Sequence, residues 1–298
     1  MSMYILVAIA GYLTFAVNSV IDKFLLRRAI PEPATYAFFI SMLSLSALLL
    51  APFGYFRPEN WDIGLALLSG ACFTGALIVF FAALKRQDAS AVLPFVGGVV
   101  PLLTVFMSFS LSSERLSPRD YLAAGLLIAG SFLIGWAGSK KHGAAGWIVL
   151  AIVASALFAS SFTLVKIVYL DLHGAFVPGL IWSRVGGFLA ALLILLHPMS
   201  RRKIFSTSRA IAPPSLGLFF LGQALASGAA IAQNYALSLG SVTMVNALQG
   251  TQFAFLFVLT SFLSKKYPKI LFEDFSRGVF FKKILAILLI SAGLIAIF

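Results

Sequence analysis

The length, composition and charge of the chain exclude an ordinary soluble domain. Its 298 residues are 60% hydrophobic and only 11% charged, whereas soluble domains contain roughly 25% charged residues. The net charge of +12 arises from short basic clusters between apolar runs, a pattern typical of membrane-protein loops rather than of a nucleic-acid surface. We therefore expect a multi-pass protein of the plasma membrane without a sizeable domain outside the bilayer.

Apolar runs of about 20 residues, the length that crosses a bilayer as a helix, recur along the chain. Because lipid cannot hydrogen-bond to an irregular backbone, each run is predicted to be α-helical. The ten predicted transmembrane spans are residues 3–26, 35–56, 61–84, 89–112, 119–137, 146–168, 175–197, 212–238, 241–264 and 280–298.

The two halves of the chain resemble each other. At a shift of 143 residues the first span matches the sixth, and at a shift of 153 the third and fourth spans match the eighth and ninth without a gap. A shift of 163 aligns the fifth span with the tenth. Repeats with an odd number of spans must cross the membrane in opposite directions. We therefore predict an all-α protein of two inverted five-helix repeats, 1–138 and 147–298, joined by a linker, 139–146.

The basic residues are unevenly distributed between the two membrane faces. The ends and loops that follow the odd-numbered spans hold 17 of the 22 lysines and arginines, and we call this the basic side. The positive-inside rule places the basic side in the cytoplasm and both termini outside.

Several local patterns carry a family resemblance. The third span ends in Ala83-Leu84, the fourth has an early proline, Pro94, and the segment 114–117 precedes a fifth span that contains Gly130. These features resemble the EamA-type transporters of the drug/metabolite transporter superfamily. The resemblance implies a secondary transporter or exchanger, acting as an exporter of small organic metabolites such as amino acids, by alternating access and without a cofactor. It also implies cytoplasmic termini, so the resemblance and the charge distribution disagree on orientation.

Charged and polar residues within the spans are candidates for a substrate site. Arg184 lies about ten residues into the seventh span, near the middle of the bilayer, where a charge faces a cavity or a partner. It is interpreted either as the counter-ion of an anionic substrate group such as a carboxylate, or as a tether to helix carbonyls. In the first span, Asn18 and Asp22 are four residues apart and should both face the bundle.

The eighth and ninth spans are predicted to form the polar wall of a substrate cavity. The residues concerned are Gln223, Ser227, Asn234, Asn246 and Gln249. Hydrogen bonding between helices, worth about 0.6 kcal/mol per bond, is the alternative role of these side chains. Phe158 and Trp182 are predicted to line the apolar side of the cavity.

Lys23 and Lys166 occupy equivalent places in the two halves. A paired function and simple snorkelling to the lipid headgroups both fit this position.

Two other classes of function compete with transport: an intramembrane lipid-modifying enzyme and a non-transporting scaffold. The histidines, His142, His173 and His197, all fall near span ends, and Cys72 has no histidine nearby in the sequence. We therefore predict no enzymatic activity and no metal or cofactor. The expected partners are a small-molecule substrate and the lipid bilayer, with no nucleic acid, and a monomer is compatible with the sequence.

Overall fold

The computed structural model describes residues 2–28, 32–87, 89–111, 117–138, 146–210, 213–266 and 277–297. Within these ranges the chain is helical and contains no β-strand. A 3-10 segment, Ser44–Phe53, directly continues the second α-helix. The α-helices are α1 Met3–Arg28, α2 Pro33–Leu43, α3 Asn60–Arg86, α4 Ala89–Leu111, α5 Pro118–Gly138, α6 Gly146–Asp171, α7 Phe176–Ile194, α8 Pro198–Ala210, α9 Pro213–Leu239, α10 Val242–Ala247, α11 Gln249–Lys266 and α12 Arg277–Ile297.

Every predicted span coincides with a helix or with two consecutive helical segments. The second span is α2 plus the 3-10 segment, and the ninth span is α10 and α11, which are separated at Leu248. By length and hydropathy, seven described segments are able to cross a membrane: Met3–Asp22, Pro33–Phe53, Asn60–Arg86, Gly146–Asp171, Phe176–Ile194, Ser215–Leu239 and Val242–Leu263. The fold is therefore a multi-pass helical bundle, while the count of ten spans stays a prediction for α4, α5 and α12.

The helix α8 was not predicted, because it lies in what we expected to be the loop after the seventh span. Its sequence, PMSRRKIFSTSRA, is too polar to appear as an apolar run. The helix is nevertheless amphipathic. Ile204 is buried, whereas Met199 and Phe205 are exposed.

The helices of one half pack mainly against helices of the other half. The first helix of each half, α1 or α6, lies against the third helix of the other, so that α1 packs on α9 and α6 on α3. The fourth helices follow the same rule, with α11 on α1 and α4 on α6. The two fifth helices, α5 and α12, pack on each other. The centre of the bundle is therefore enclosed by elements from both halves.

Small residues bring α5 and α12 close together. Gly130 lies against Ile290, and Gly293 lies against Leu127. Moving from Leu127 to Gly130 along α5 corresponds to moving back from Gly293 to Ile290 along α12, so the two helices are antiparallel.

Candidate functional site

A cavity of about 250 Å³ lies in the centre of the bundle. Its walls come from α1, the α2 and 3-10 segments, α3, α4, α6, α7, α9 and α11. Seven of the ten residues predicted from the sequence line this single cavity: Asn18, Asp22, Phe158, Arg184, Gln223, Ser227 and Gln249.

Arg184 brings a positive charge to the cavity wall. Its guanidinium carbon lies 5.1 Å from the ring centroid of Phe73, which is a cation–π contact. Among the described residues it donates no hydrogen bond and forms no ion pair, so the helix-carbonyl tether is not observed. The donors of the guanidinium are therefore available to a ligand in the cavity.

Asp22 brings a negative charge to the same cavity. Its carboxylate accepts a hydrogen bond from the Asn18 amide, with an Nδ2···Oδ2 distance of 2.9 Å, and a second one from the Tyr36 hydroxyl. No lysine or arginine forms an ion pair with it among the residues that the structure describes. The Asn18 Oδ1 atom is buried and has no partner in this part of the chain. The cavity thus contains separate sites of opposite charge.

Amide and hydroxyl groups form a further polar part of the wall. Gln252 donates from Nε2 to the Ser19 hydroxyl at 3.2 Å, and Gln233 donates to the Tyr12 hydroxyl at 3.1 Å. All four side chains line the cavity, and our sequence reasoning missed them. Helical spacing was the available signal: Tyr12, Ser19 and Asp22 fall on one stripe of α1, and Gln252 lies three residues after Gln249.

Aromatic rings form the apolar part of the wall. Phe158 and Phe162 of α6 are stacked with their centroids 6.2 Å apart, and Phe73 of α3 meets Phe158 edge to face at 5.5 Å. Phe80 also contacts Phe158, at 6.1 Å. The cavity therefore offers a broad apolar surface beside its charged and amide groups.

The other three predicted residues are not among those that line the cavity. Trp182 is only two residues from Arg184, which places it about 200° around α7 from the cavity-facing arginine. Asn234 lies near the end of α9, where it accepts a hydrogen bond from the Tyr169 hydroxyl at 2.9 Å. Asn246 is fully buried on α10, and its amide has no partner among the described residues.

Lys166 neither snorkels nor faces the cavity. It is 6% exposed, and its ammonium group donates to the carbonyl oxygens of Leu237 at 2.9 Å and Gly240 at 2.7 Å. These carbonyls end α9, where a cation is favourable. Snorkelling is thus the wrong interpretation for Lys166, and the side chain of Lys23 lies outside the described residues.

An apolar cluster lies at the end of the cavity that faces the basic side. Its buried residues, which we call the aromatic plug, are Leu25, Tyr36, Ala37, Leu77, Phe81 and Phe219. The Tyr36 ring meets the Phe81 ring edge to face at 4.9 Å and the Phe219 ring at 5.9 Å. Because Tyr36 also donates to the Asp22 carboxylate, the plug is joined directly to the charged wall.

Ion pairs lie beyond the plug on the basic side. Glu32, the residue before α2, accepts from Lys203 at 3.0 Å and from Lys85 at 3.3 Å. Burial alone raises the pKa of the Glu32 carboxyl, but the hydrogen bonds and charges of Lys203 and Lys85 outweigh it, so the pKa is lowered. These pairs connect the start of α2, the end of α3 and α8.

Comparison with known proteins gives a family for the first half of the chain. The EamA-like transporter family matches over residues 2–136, which confirms the resemblance seen in the sequence. No curated protein matches the chain. Among solved structures 28 chains match, and one of them, described only as the crystal structure of a protein, is 18% identical with a TM-score of 0.70 over 99% of this chain and 98% of the other. That likeness shows the fold alone.

Proposed function

We propose that this membrane transporter of the EamA type is a secondary transporter of small zwitterionic metabolites, amino acids above all, and that it works by alternating access between its two halves. The observation that carries the proposal is the presence of Arg184 and Asp22 in one central cavity. A zwitterion needs two complementary charges that do not neutralise each other, and neither residue has an ion-pair partner among the described residues.

The dimensions and lining of the cavity favour a small substrate. Its volume of about 250 Å³ lies below the roughly 300–1,000 Å³ that is common for drug-sized ligands. The guanidinium of Arg184 matches a carboxylate in shape and charge, and the Asp22 carboxylate matches an ammonium group. The phenylalanine wall suits an apolar side chain. We place the substrate's carboxylate at Arg184, its amine at Asp22 and its side chain against Phe73 and Phe158.

Alternating access requires two halves that can exchange roles, and the contacts between helices support inverted repeats. At the shifts found in the sequence, Ser69 corresponds to Gly222 and Asn18 corresponds to Ser161. Ser69 donates to the Ser161 carbonyl at 2.9 Å, and Gly222 lies against Asn18. One contact between α3 and α6 is thus repeated between α9 and α1, with the halves exchanged.

The α5 and α12 pair supports the same symmetry. At the shift of 163 residues Gly130 corresponds to Gly293, and Leu127 to Ile290, and these residues contact each other reciprocally. Because the two helices are antiparallel, the axis that relates them runs across the helices, as inverted repeats require.

The two ends of the cavity differ, which supports access from one side at a time. On the basic side the aromatic plug joins α2 to α9, since the Tyr36 and Phe219 rings contact each other there. Towards the other side of the membrane, the 3-10 segment and α9 both line the cavity, and no extended packing joins them in the described structure. Under the repeat, α7 corresponds to the second span and α3 corresponds to α9. These two helices are tightly packed at Gly70, Gly186 and Gly187. We infer that in this conformation the cavity opens between the 3-10 segment and α9, on the membrane side opposite the basic side.

Exchange in proteoliposomes tests the proposal. Vesicles loaded with unlabelled amino acids should take up labelled amino acid through the wild-type protein, and the corresponding amine without the carboxylate should compete poorly. In Arg184→Met the apparent affinity for the amino acid should fall roughly 10- to 100-fold, because a hydrogen-bonded charge contributes about 1.5–3 kcal/mol. The variant should also lose the preference for amino acid over amine.

The matched control is Arg119→Met, which removes an arginine from an exposed position at the start of α5. It should leave both uptake and the preference unchanged. The protein stability of Arg184→Met should be maintained, since removing an unpaired charge at mid-membrane relieves an insertion cost of about 2.5–3.5 kcal/mol. Unchanged preference for the carboxylate in Arg184→Met would refute the assignment. No exchange with any amino acid would refute the substrate class.

A further inference from the structure

The outer face of α8 combines large apolar side chains with arginine. Ser200 and Ile204 face the protein, and Ile204 is only 2% exposed. On the opposite side of the helix Met199 is 65% exposed and Phe205 is 55% exposed. Arg202 lies between these two side chains at a spacing of three residues, so that all three share about one third of the helix circumference. None of the described residues covers the apolar side chains of this face.

The basic side chains of α8 that the structure describes fall into two groups. Lys203 is turned towards the protein, where its ammonium group pairs with Glu32 at 3.0 Å. Arg201 and Arg202 are exposed and form no ion pair with any residue that the structure describes. Two cations on this helix are therefore available to an external anion.

The neighbours of α8 place it at the membrane surface. It connects two segments able to cross the membrane, Phe176–Ile194 and Ser215–Leu239, and so lies level with the ends of both. Glu32 and Lys85, which meet Lys203, are at the ends of α2 and α3 on the basic side. A helix at this depth is surrounded by lipid headgroups on the side that faces away from the protein.

We propose that the outer face of α8 is a binding site for anionic phospholipid. Arg201 and Arg202 pair with the lipid phosphates, since the guanidinium fork matches a phosphate better than an ammonium does. Met199 and Phe205 insert between the upper parts of the acyl chains, as the apolar side chains of interfacial helices do. The proposal uses no residue of the cavity and holds whatever the protein transports.

Binding of short-chain phosphatidylglycerol and phosphatidylcholine to the purified full-length protein, measured by native mass spectrometry, tests this site. The wild type should bind phosphatidylglycerol more tightly than phosphatidylcholine. Each arginine near an anionic surface changes the affinity about five-fold, so Arg201→Gln with Arg202→Gln should weaken phosphatidylglycerol binding about 25-fold and leave phosphatidylcholine unchanged. Met199→Ser with Phe205→Ser should weaken both lipids alike.

The matched control removes two exposed arginines from the opposite side, Arg57→Gln with Arg119→Gln. It changes the net charge by the same amount and should keep the preference for phosphatidylglycerol. An equal loss in the control, or no preference in the wild type, overturns the proposal. Displacement of the lipid by millimolar glycerol phosphate also overturns it, because the site would then be one for a soluble anion.

All four side chains of the site are exposed, so the melting temperatures of the variants should equal that of the wild type. If a double variant does not stay folded, the single variants Arg201→Gln and Arg202→Gln carry the test, each with an expected five-fold loss.

Discussion

A single methyl group added at Gly70 should force α3 away from α7. A Cβ atom at this position would overlap the carbonyl oxygen of Ser183 and lie 2.5 Å from the amide nitrogen of Gly187. A comfortable carbon contact needs about 3.5 Å, so the Gly187 nitrogen alone requires a separation of about 1 Å, and the Ser183 oxygen requires more. The obstructing atoms are helix backbone, and no change of rotamer can relieve the overlap.

The expected cost of Gly70→Ala is about 1–3 kcal/mol, the usual range for an overpacked interior. Gly64 lies on the same helix, six residues earlier, and has no atom within 4 Å of an added Cβ. Gly64→Ala should therefore stabilise the protein by up to about 1 kcal/mol, because alanine favours a helix over glycine. The same substitution at two positions of one helix is thus expected to change the unfolding free energy in opposite directions.

Unfolding of the purified protein by sodium dodecyl sulfate in mixed micelles, followed by far-UV circular dichroism, measures both changes. The midpoint should move to lower detergent fraction for Gly70→Ala and to equal or higher fraction for Gly64→Ala. Equal shifts for the two variants would refute the reasoning, since they would show that the close approach of α3 and α7 does not contribute to stability.

Three further outcomes follow from the cavity and its surroundings. Lys166→Met should lower the unfolding free energy by about 1–3 kcal/mol, because the buried carbonyls at the end of α9 lose their ammonium partner, while the apparent affinity for substrate in proteoliposomes stays unchanged. Asp22→Asn should weaken uptake of substrates with a free amine and spare their N-acetylated analogues, as competition measurements would show. Glu32→Gln should lower the melting temperature at neutral pH by a small amount, since each exposed ion pair contributes less than about 1 kcal/mol. The pKa of Glu32 is lowered in the folded protein, so its stabilisation is present above its ordinary pKa and disappears as the pH falls through the lowered value; the two proteins should then melt alike in acid.

Hydropathy was sufficient to locate the apolar helices, because a backbone surrounded by lipid must satisfy its hydrogen bonds internally and therefore forms a helix. It could not locate α8, whose sequence is too polar to form an apolar run. The break at Leu248 and the 3-10 form of Ser44–Phe53 also had no signal in hydropathy, because both lie within continuous apolar runs.

The candidate cavity was only partly predictable, for a geometric reason. A polar residue inside a span must face the bundle, and this rule found Asn18, Arg184 and Gln223. The rule does not say where along the bundle the cavity lies. Asn234 shares a face of α9 with Gln223 but lies eleven residues away, or about 16 Å along the helix. It accepts a hydrogen bond from the Tyr169 hydroxyl instead of lining the cavity.

In the alignment of the two halves at a shift of 153 residues, Gly70 corresponds to Gln223. In the first half this position is a glycine at which two helices touch backbone to backbone, and in the second half it is an amide on the cavity wall. A dimer of two identical half-length chains would have the same residue in both positions. A glutamine would prevent the close contact between the helices, and a glycine would remove the amide from the cavity wall. Joining the halves in one polypeptide allows each half to carry a different residue at this position, so that one can supply the helix contact and the other the amide of the cavity wall.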